Sequence, residues 1–257
     1  MKRFDPRSLT LALLVGALLP LTGSSAYAQS PKGIKNIVLV HGAFADGSSW
    51  SKVIQRLQAR GYSVTAVQNP LTSLADDVAA TKRALDAQNG RVLLVGHSWG
   101  GAVISEAGVH PKVAGLLFVA AGAPNAGQSF AEMSQGYAPP AGGAQIRAFE
   151  GYLSLPRAAV LKYFAPDLPR GEAEVVAATQ GPLAAAAFAT KLTHAAWTSK
   201  RSWFIVAKRD QMINPNLERA LARKMKATTL ELDSSHVAML SHPDEVATFI
   251  AEAASKL

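Results

Sequence analysis

The amino-acid sequence predicts an α/β fold with a mostly parallel central sheet and helices on both faces. Short runs of apolar, often β-branched residues alternate along the chain with longer segments that have helical spacing. These runs are continuously apolar, which is typical of strands buried on both faces of a parallel sheet. A chain of 257 residues is also long enough to bury a single substantial core.

Residues 1–28 are expected to be a signal peptide and not part of the fold. Three basic residues stand near its start, and residues 9–21 form an apolar stretch that is short for a membrane span. Ala-Tyr-Ala at 26–28 is typical of a cleavage site. We expect cleavage after Ala28, with an uncleaved anchor as the alternative. In either case an exported protein is predicted, in a periplasm or secreted into the medium.

Strands and helices alternate in the remaining chain. The helical segments have apolar residues at helical spacing, and an Asn-Pro pair at 214–215 favours the start of one of them. The predicted strands are 36–40, 62–67, 91–95, 113–119, 202–207 and 228–232. The predicted helices are 51–60, 74–88, 99–109, 215–225 and 243–257.

One long segment interrupts this alternation. Residues 125–200 are rich in Ala, Pro and Gly and show short helical pieces near 157–164, 172–179 and 183–193, with no strand. We expect the segment to form a small helical cap over the carboxyl edge of the sheet, with some of its aromatic side chains lining an apolar pocket. Residues 29–257 are therefore predicted to be one domain with a cap insertion at about 125–200.

Ser98 lies in the motif Gly-His-Ser-Trp-Gly, at residues 96–100, directly after a predicted strand. A strand that enters Gly-x-Ser-x-Gly and continues into a helix is the layout of a nucleophile elbow, in which the serine hydroxyl projects from a strained turn. The glycines allow the close backbone approach that this turn requires. The pentapeptide is short enough to occur by chance, so partners elsewhere in the chain must support it.

A serine hydroxyl needs a base to take its proton, and the base needs an acid to hold it. On a sheet of this kind the three follow the order Ser, Asp or Glu, His, each just after the carboxyl end of a strand. Ser98, Asp210 and His236 satisfy both conditions. Asp233 is a weaker candidate for the acid because it is so close in sequence to His236, and Asp46 is expected to cap a turn.

With these residues the chain resembles the α/β-hydrolase superfamily over nearly its whole length after the leader. The matching motifs are His-Gly-Ala at 41–43, the elbow at 96–101, Lys-Arg-Asp at 208–210, and Ser-His-Val at 235–237 with Ser-His-Pro at 241–243. The resemblance is greatest to the small-capped branch of methyl-ester esterases and hydroxynitrile lyases. It implies the α/β-hydrolase fold and an oxyanion hole formed by the backbone N–H groups of Ala43 and Trp99. An N–H at the start of a helix suits developing negative charge.

Three side chains are expected to contact a substrate. Phe44 lies next to the oxyanion motif, and His194 and Trp197 lie in the cap segment. The remaining histidines outside the triad are expected to have structural roles. In particular, His41 is expected to order its own loop, and His97 is expected to face away from the substrate.

The composition argues against several other functions. The chain has no Cys, which rules out Cys-ligated metals, disulfides and thiol catalysis, and no His pair has the spacing of a metal site. We therefore predict neither a metal nor another cofactor. The formal net charge is +8, but the basic residues are scattered, and no motif indicates nucleic acid. The expected partner is a small-molecule ester, without stable membrane insertion after signal cleavage, and no oligomeric state is predicted.

The expected function is that of a serine hydrolase that cleaves a small, largely apolar carboxylic ester through an acyl-enzyme. Thioesters, lactones and acyl transfer use the same machinery. Lyases of the branch that the chain resembles have Thr and Lys at the positions of Gly42 and Val237, so cyanohydrin cleavage is disfavoured. Two alternatives stay open: a non-catalytic ligand-binding protein, and an aminopeptidase of this fold, which needs acidic cap groups. The candidate acidic groups are Glu132, Glu150, Glu172 and Glu174.

Overall fold

The computed structural model describes residues 31–257. The signal peptide predicted at 1–28 and its cleavage site lie outside the described residues. Within them, none of the helices combines the length and the apolar character that crossing a bilayer requires.

The strands of the described chain form two separate sheets. The strands are β1 (Asn36–Val40), β2 (Ser63–Val67), β3 (Val92–His97), β4 (Val113–Val119), β5 (Arg147–Phe149), β6 (Tyr152–Ser154), β7 (Leu183–Ala184), β8 (Arg201–Ala207) and β9 (Thr228–Leu232). In the larger sheet the order is β2-β1-β3-β4-β8-β9, and every neighbouring pair is parallel. The fold class predicted from the sequence is therefore confirmed.

Helices follow most of these strands along the chain. They are α1 (Ser51–Ala59), α2 (Leu74–Asp86), α3 (Gly100–Ala107), α4 (Arg157–Ala159), α5 (Arg170–Thr179), α6 (Ala185–Ala189), α7 (Pro215–Lys224), α8 (Ala238–Ser241) and α9 (Pro243–Ser255). α1 packs against α9, and α2 packs against α3. As predicted, α7 begins at Pro215, and the side chain of Asn214 caps it by accepting a hydrogen bond from the N–H of Asn216.

The central strands β3 and β4 are buried along their whole length. Each contributes side chains to both faces of the sheet, which explains why their sequences are continuously apolar. Phe118 of β4 and Phe204 of β8 stack on neighbouring strands, with their ring centroids 5.8 Å apart. Because the strands are parallel, their carboxyl ends all lie at one edge of the sheet, where sites in folds of this class are built.

The segment between β4 and β8 differs from the expectation of a cap without strands. The short strands β5, β6 and β7 form an antiparallel sheet of their own. β5 and β6 are joined by a two-residue turn at Glu150 and Gly151, which have φ values of 47° and 81° and thus suit a tight hairpin. Strands of two or three residues are too short to show a periodic pattern, so the sequence did not reveal them.

The helical pieces of this segment are only partly as predicted. Residues 157–164 are helical, as α4 followed by a π-helical turn, and α5 begins slightly earlier than predicted. The piece predicted at 183–193 is instead divided between β7 and α6. Leu183 pairs with Leu153 in the small sheet, so tertiary pairing overrides the helix propensity of this Ala-rich stretch.

The approach of α3 to the loop after β4 leaves no room for a side chain at Gly101. A Cβ atom there would lie 2.1 Å from the carbonyl oxygen of Gly122. We expect Gly101→Ala to lower the free energy of unfolding by about 1–3 kcal/mol. Gly171 in α5 is the matched control, because a Cβ there meets no atom within 4 Å. Gly171→Ala should raise that free energy by up to about 1 kcal/mol through helix propensity.

Urea denaturation of the two alanine variants measures this difference. Equal stability of Gly101→Ala and Gly171→Ala would contradict the tight packing of α3.

Candidate active site

Ser98 lies in the tight turn between β3 and α3. Its φ of 54° is in the left-handed region, which a non-glycine residue adopts at a cost and which is frequent at functional sites. Two glycines permit the turn. A Cβ on Gly96 would lie 2.6 Å from the carbonyl oxygen of Gly100, and a Cβ on Gly100 would lie 2.6 Å from that of Val40. The turn therefore holds Ser98 at the carboxyl edge of the sheet.

The structure brings Ser98, His236 and Asp210 into one hydrogen-bonded chain. Nδ1 of His236 is 2.6 Å from Oδ2 of Asp210, and Nε2 of His236 is 2.8 Å from Oγ of Ser98. A carboxylate can only accept, so Nδ1 carries the proton and Nε2 is free to accept the hydrogen of the Ser98 hydroxyl. His236 is 1% exposed and Asp210 is 5% exposed. A buried chain of this kind can activate a serine for attack on a carbonyl carbon.

The carboxylate of Asp210 is held firmly just after the end of β8. Its Oδ1 accepts hydrogen bonds from the N–H groups of Met212, at 2.6 Å, and Ile213, at 3.0 Å, so both of its oxygens are occupied. Asp233, the weaker candidate for the acid, is exposed, and its carboxylate pairs with Arg209 at 3.3 Å. The geometry therefore favours Asp210 as the partner of His236.

The backbone N–H groups of Ala43 and Trp99 are the predicted oxyanion donors. Among the described residues, neither N–H donates to a backbone acceptor. Trp99 directly precedes α3, where backbone N–H groups have no helical partner. Ala43 and Phe44 line a cavity next to Ser98. Further along the same loop, the side chain of Asp46 caps a 3₁₀ turn by accepting a hydrogen bond from the backbone N–H of Ser48 at 2.6 Å.

The cavity that opens at Ser98 and His236 has a volume of about 250 Å³. The segment between β4 and β8 supplies most of its wall, and the stretch after Asp210 supplies part of the rest. No Asp, Glu, Lys or Arg is among the described residues that line it. The cavity therefore suits an uncharged, largely apolar ligand. Its large side chains include Phe44, Phe130, Met133, Tyr137, Phe164 and Phe188.

The expected substrate contacts His194 and Trp197 lie outside this cavity, unlike Phe44. The side chain of His194 is exposed, and its Nδ1 lies 2.8 Å from a carboxylate oxygen of Glu106 in α3. Trp197 is buried, and its indole N–H donates to the carbonyl oxygen of Pro124 at 3.1 Å. His194 thus ties the segment between β4 and β8 to α3, whereas Trp197 joins two parts of that segment to each other. Contact of these two side chains with a substrate stays a prediction.

Sequence reasoning did not identify the part of the cavity wall that follows Asp210, which includes Met212, Ile213 and Leu217. They follow Asp210 on the loop and the first turns of α7. Their position directly after a predicted triad residue was the signal that could have identified them, because side chains at the carboxyl end of a parallel strand converge on the same site.

A model of the alpha/beta hydrolase family matches residues 37–249. The chain belongs to the alpha/beta hydrolase family. The match extends from β1 into α9, so it includes all of the larger sheet except the first residue of β1, and all three members of the hydrogen-bonded chain. The family resemblance inferred from the motifs is therefore confirmed.

Curated relatives match parts of this hydrolase. A pyrethroid hydrolase of Sphingobium wenxiniae is 35% identical over 101 residues, which cover 34% of this chain and 36% of that protein. Methylesterase 7 of Arabidopsis thaliana is 38% identical over 108 residues, which cover 35% of this chain and 41% of that protein. The chain thus spans less than half the length of these two relatives.

Solved structures share the fold. The structure of polyneuridine aldehyde esterase has a TM-score of 0.76 at 20% identity, with 86% of this chain and 99% of that chain covered. A pyrethroid hydrolase from Sphingobium faniae has a TM-score of 0.72 at 22% identity, with 86% and 97% covered. At these identities the likeness shows that the architecture is the same.

Two further histidines of the hydrolase support the site from within the core. His97 lies in the elbow, and its Nε2–H donates to the carbonyl oxygen of His236 at 2.9 Å, while burial lowers its pKa. Nε2 of His41 accepts the backbone N–H of Asn69 at 2.9 Å, and its Nδ1–H donates to the carbonyl oxygen of Gly42 at 2.8 Å. Both neutral rings therefore act as fixed hydrogen-bonding links between loops.

Within residues 31–257, no three His, Asp or Glu side chains come together as metal ligands.

A second buried carboxyl group belongs to Glu218 of α7, which is 0% exposed. Its Oε2 accepts a hydrogen bond from the N–H of Ala207 at 3.0 Å, and its Oε1 has no partner among the described residues. Burial, followed by the negative charge of Asp210, raises the pKa of Glu218 well above its ordinary value. The folded protein therefore favours the protonated form of Glu218 more than the unfolded chain does.

The raised pKa of Glu218 predicts how stability depends on pH. Above the ordinary pKa of 4.5, the unfolded chain loses this proton while the folded chain keeps it. The free energy of unfolding should therefore fall, by about 1.4 kcal/mol per pH unit for this group, until the folded pKa is reached. Glu218→Gln has no proton to lose, so its stability relative to the wild type should increase between pH 5 and pH 8.

Thermal melts of wild type and Glu218→Gln across this pH range test the prediction. Glu252→Gln is the control, because it makes the same substitution at an exposed position of α9. A difference between wild type and Glu218→Gln that stays constant with pH would show that Glu218 is ionised in the folded protein.

Proposed function

We propose that this alpha/beta hydrolase is a serine hydrolase that cleaves an uncharged, largely apolar carboxylic ester through an acyl-enzyme. The main support is the hydrogen-bonded chain of Ser98, His236 and Asp210 at the end of a cavity whose described lining contains no Asp, Glu, Lys or Arg. The names of the curated relatives, a pyrethroid hydrolase and a methylesterase, agree with this reaction class.

In the first half of the proposed reaction, Nε2 of His236 takes the proton of the Ser98 hydroxyl as Oγ attacks the carbonyl carbon of the ester. The carbonyl oxygen becomes an oxyanion, which we assign to the N–H groups of Ala43 and Trp99. The tetrahedral intermediate then collapses. The bond from carbon to the alcohol oxygen breaks, and the imidazolium of His236 gives its proton to the leaving alcohol.

In the second half, a water molecule repeats these steps on the acyl-enzyme. His236 takes a proton from the water, the water oxygen attacks the acyl carbon, and the bond to Ser98 breaks as Oγ regains a proton. Asp210 keeps the proton on Nδ1 of His236 and stabilises the imidazolium when it forms. The N–H groups of Met212 and Ile213, which bind the other oxygen of Asp210, hold its carboxylate in position.

An aminopeptidase would need carboxylates in the cavity to hold an amine. Three of the four candidate glutamates form ion pairs elsewhere, the fourth lies in the exposed turn between β5 and β6, and none lines the cavity. These ion pairs are Glu132–Lys191, Glu172–Lys52 and Glu174–Arg157. A lyase that releases cyanide would need a cation beside the leaving group, and no Lys or Arg of the described chain lines the cavity. Ester hydrolysis is therefore favoured over both.

Replacing Ser98 by Ala should lower kcat for p-nitrophenyl butyrate by about 10⁴-fold or more, because the nucleophile is lost. Ser134 is the matched control, because it lines the same cavity while its hydroxyl donates to the carbonyl oxygen of Ala131. Ser134→Ala should keep most of the activity. Ester hydrolysis and covalent labelling by a fluorophosphonate, detected by mass spectrometry, measure both effects.

Two results of this experiment would count against the enzyme. Labelling that persists in Ser98→Ala would identify a different nucleophile. A wild-type protein that binds the ester stoichiometrically without turnover would instead support the non-catalytic binding protein.

The charge of the acyl part should decide which esters are cleaved. We expect p-nitrophenyl butyrate to exceed the p-nitrophenyl monoester of succinic acid by about 100-fold or more in kcat/KM, because a carboxylate loses its hydration in the apolar cavity without gaining a cation. The two acyl chains have the same number of carbon atoms, so length is controlled. Equal kcat/KM values would mean that the acyl part does not enter this cavity.

A further inference from the structure

Asp77 is a buried carboxyl group that the proposed reaction does not use. It lies in the first turn of α2, is 0% exposed, and forms no ion pair within the part of the chain that the structure describes. Burial raises the pKa of its side chain. A carboxyl group in such a place is costly unless its oxygens are satisfied, so its hydrogen bonds indicate what it does.

Both oxygens of Asp77 accept hydrogen bonds from groups outside α2. Oδ2 accepts the indole N–H of Trp99 at 2.8 Å, and Oδ1 accepts the backbone N–H of Leu71 at 2.8 Å. The carboxyl group therefore links the residue that follows Ser98 to the loop that precedes α2.

The first of these bonds connects Asp77 to the reaction site. The backbone N–H of Trp99 is one of the two groups to which the oxyanion is assigned. The indole ring of Trp99 packs against the rings of Phe130 and Phe188, with centroid distances of 5.5 Å in both cases. Phe130 and Phe188 stack on each other at 5.0 Å and line the cavity. A change in the orientation of this indole ring would therefore move both the backbone N–H of Trp99 and the rings of the cavity wall.

The second bond connects Asp77 to the segment between β4 and β8. Leu71 has a φ of 60°, a conformation that must be held by its surroundings. Its carbonyl oxygen accepts the N–H of Ala184 in β7 at 2.8 Å. Asp77 therefore stabilises a strained residue on which the small sheet is anchored.

We propose that Asp77 is a positioning residue for the ester hydrolysis proposed above, on which this inference rests. Through the indole ring of Trp99 it fixes the position of the cavity wall formed by Phe130 and Phe188. Through the same residue it holds the backbone N–H of Trp99 in place. Through Leu71 it ties the same wall to β7 of the small sheet. Asp77 does not touch the reacting atoms, and its effect on the reaction passes entirely through Trp99 and Leu71.

The chain offers a matched control in the neighbouring residue, Asp76. Asp76 lies in the same turn of α2, but it is exposed, and its carboxylate accepts hydrogen bonds from the hydroxyl groups of Thr72 and Ser73. Asp76→Asn changes the same charge at the same helix start without touching Trp99. Any effect that is specific to Asp77 must therefore exceed the effect of Asp76→Asn.

The first measurement is the indole N–H resonance of Trp99 in protein labelled with ¹⁵N-tryptophan. The four Trp residues give four resonances, and Trp99→Phe identifies the one that belongs to Trp99. An asparagine has only one acceptor oxygen, so Asp77→Asn leaves either the indole or the Leu71 N–H without its carboxylate partner. We expect the Trp99 resonance to move upfield in Asp77→Asn, and to keep its position in Asp76→Asn.

The second measurement is the hydrolysis of p-nitrophenyl butyrate and octanoate. We expect Asp77→Asn to lower kcat/KM by about tenfold to a hundredfold and to change the ratio between the two esters, because the cavity wall and the oxyanion donor both shift. Asp76→Asn should alter neither quantity. In the background of Trp99→Phe, Asp77→Asn should cost less than in the wild type, because the two residues act together.

The outcomes separate this inference from the proposed function. If the wild type hydrolyses none of the esters, the proposed reaction fails, and the Trp99 resonance alone decides whether Asp77 holds the indole. If Asp77→Asn does not fold, Trp99→Phe replaces it, since that variant removes the donor and leaves Asp77 with Leu71. A folded Asp77→Asn protein whose Trp99 resonance, kcat/KM and ester ratio all equal those of the wild type overturns the proposal. Lower stability with unchanged kinetics of the folded protein overturns it as well.

Discussion

The left-handed backbone of Ser98 is the constraint on which the rest of the site depends. The N–H of Ser98 donates to the carbonyl oxygen of Val119 at 3.2 Å, and its own carbonyl oxygen accepts the N–H groups of Gly101 and Gly122 at 3.0 and 3.2 Å. Backbone from the end of β4, from α3 and from the loop after β4 thus surrounds one residue, and these surroundings hold a conformation that the residue would not adopt alone. The backbone packing therefore fixes the direction in which the Cα–Cβ bond of Ser98 points.

Parallel strand ends account for the remainder of the hydrogen-bonded chain. Ser98 and His236 are 138 positions apart in sequence, yet they meet because β3 and β9 end at the same edge. This is why so much could be predicted from the sequence. Buried strands are recognisable as continuous apolar runs, β1, β4 and β9 have the predicted bounds, and polar residues that directly follow such runs are brought together by topology.

Contacts that depend on distant parts of the chain could not be predicted in this way. Trp197 and His194 are aromatic side chains in the segment over the site, but their partners, Pro124 and Glu106, are identified only by the folded packing. Short strands such as β7 exist because of their neighbours and leave no periodic trace. A buried carboxyl such as that of Glu218 has no local signature either, because an acidic residue in an amphipathic helix ordinarily lies on its solvated face.

The uncharged cavity also influences the release of the product after the chemical step. Hydrolysis of an ester creates a carboxylic acid beside side chains such as Phe130, Phe164 and Phe188. This acid is ionised at neutral pH. The described lining offers that new anion neither Lys nor Arg, so the anion gains hydration by leaving. A wall that attracts the ester thus repels the acid made from it. Release of the ionised acid is therefore favourable in free energy. For the same reason the acid product should be a weak inhibitor of the reaction.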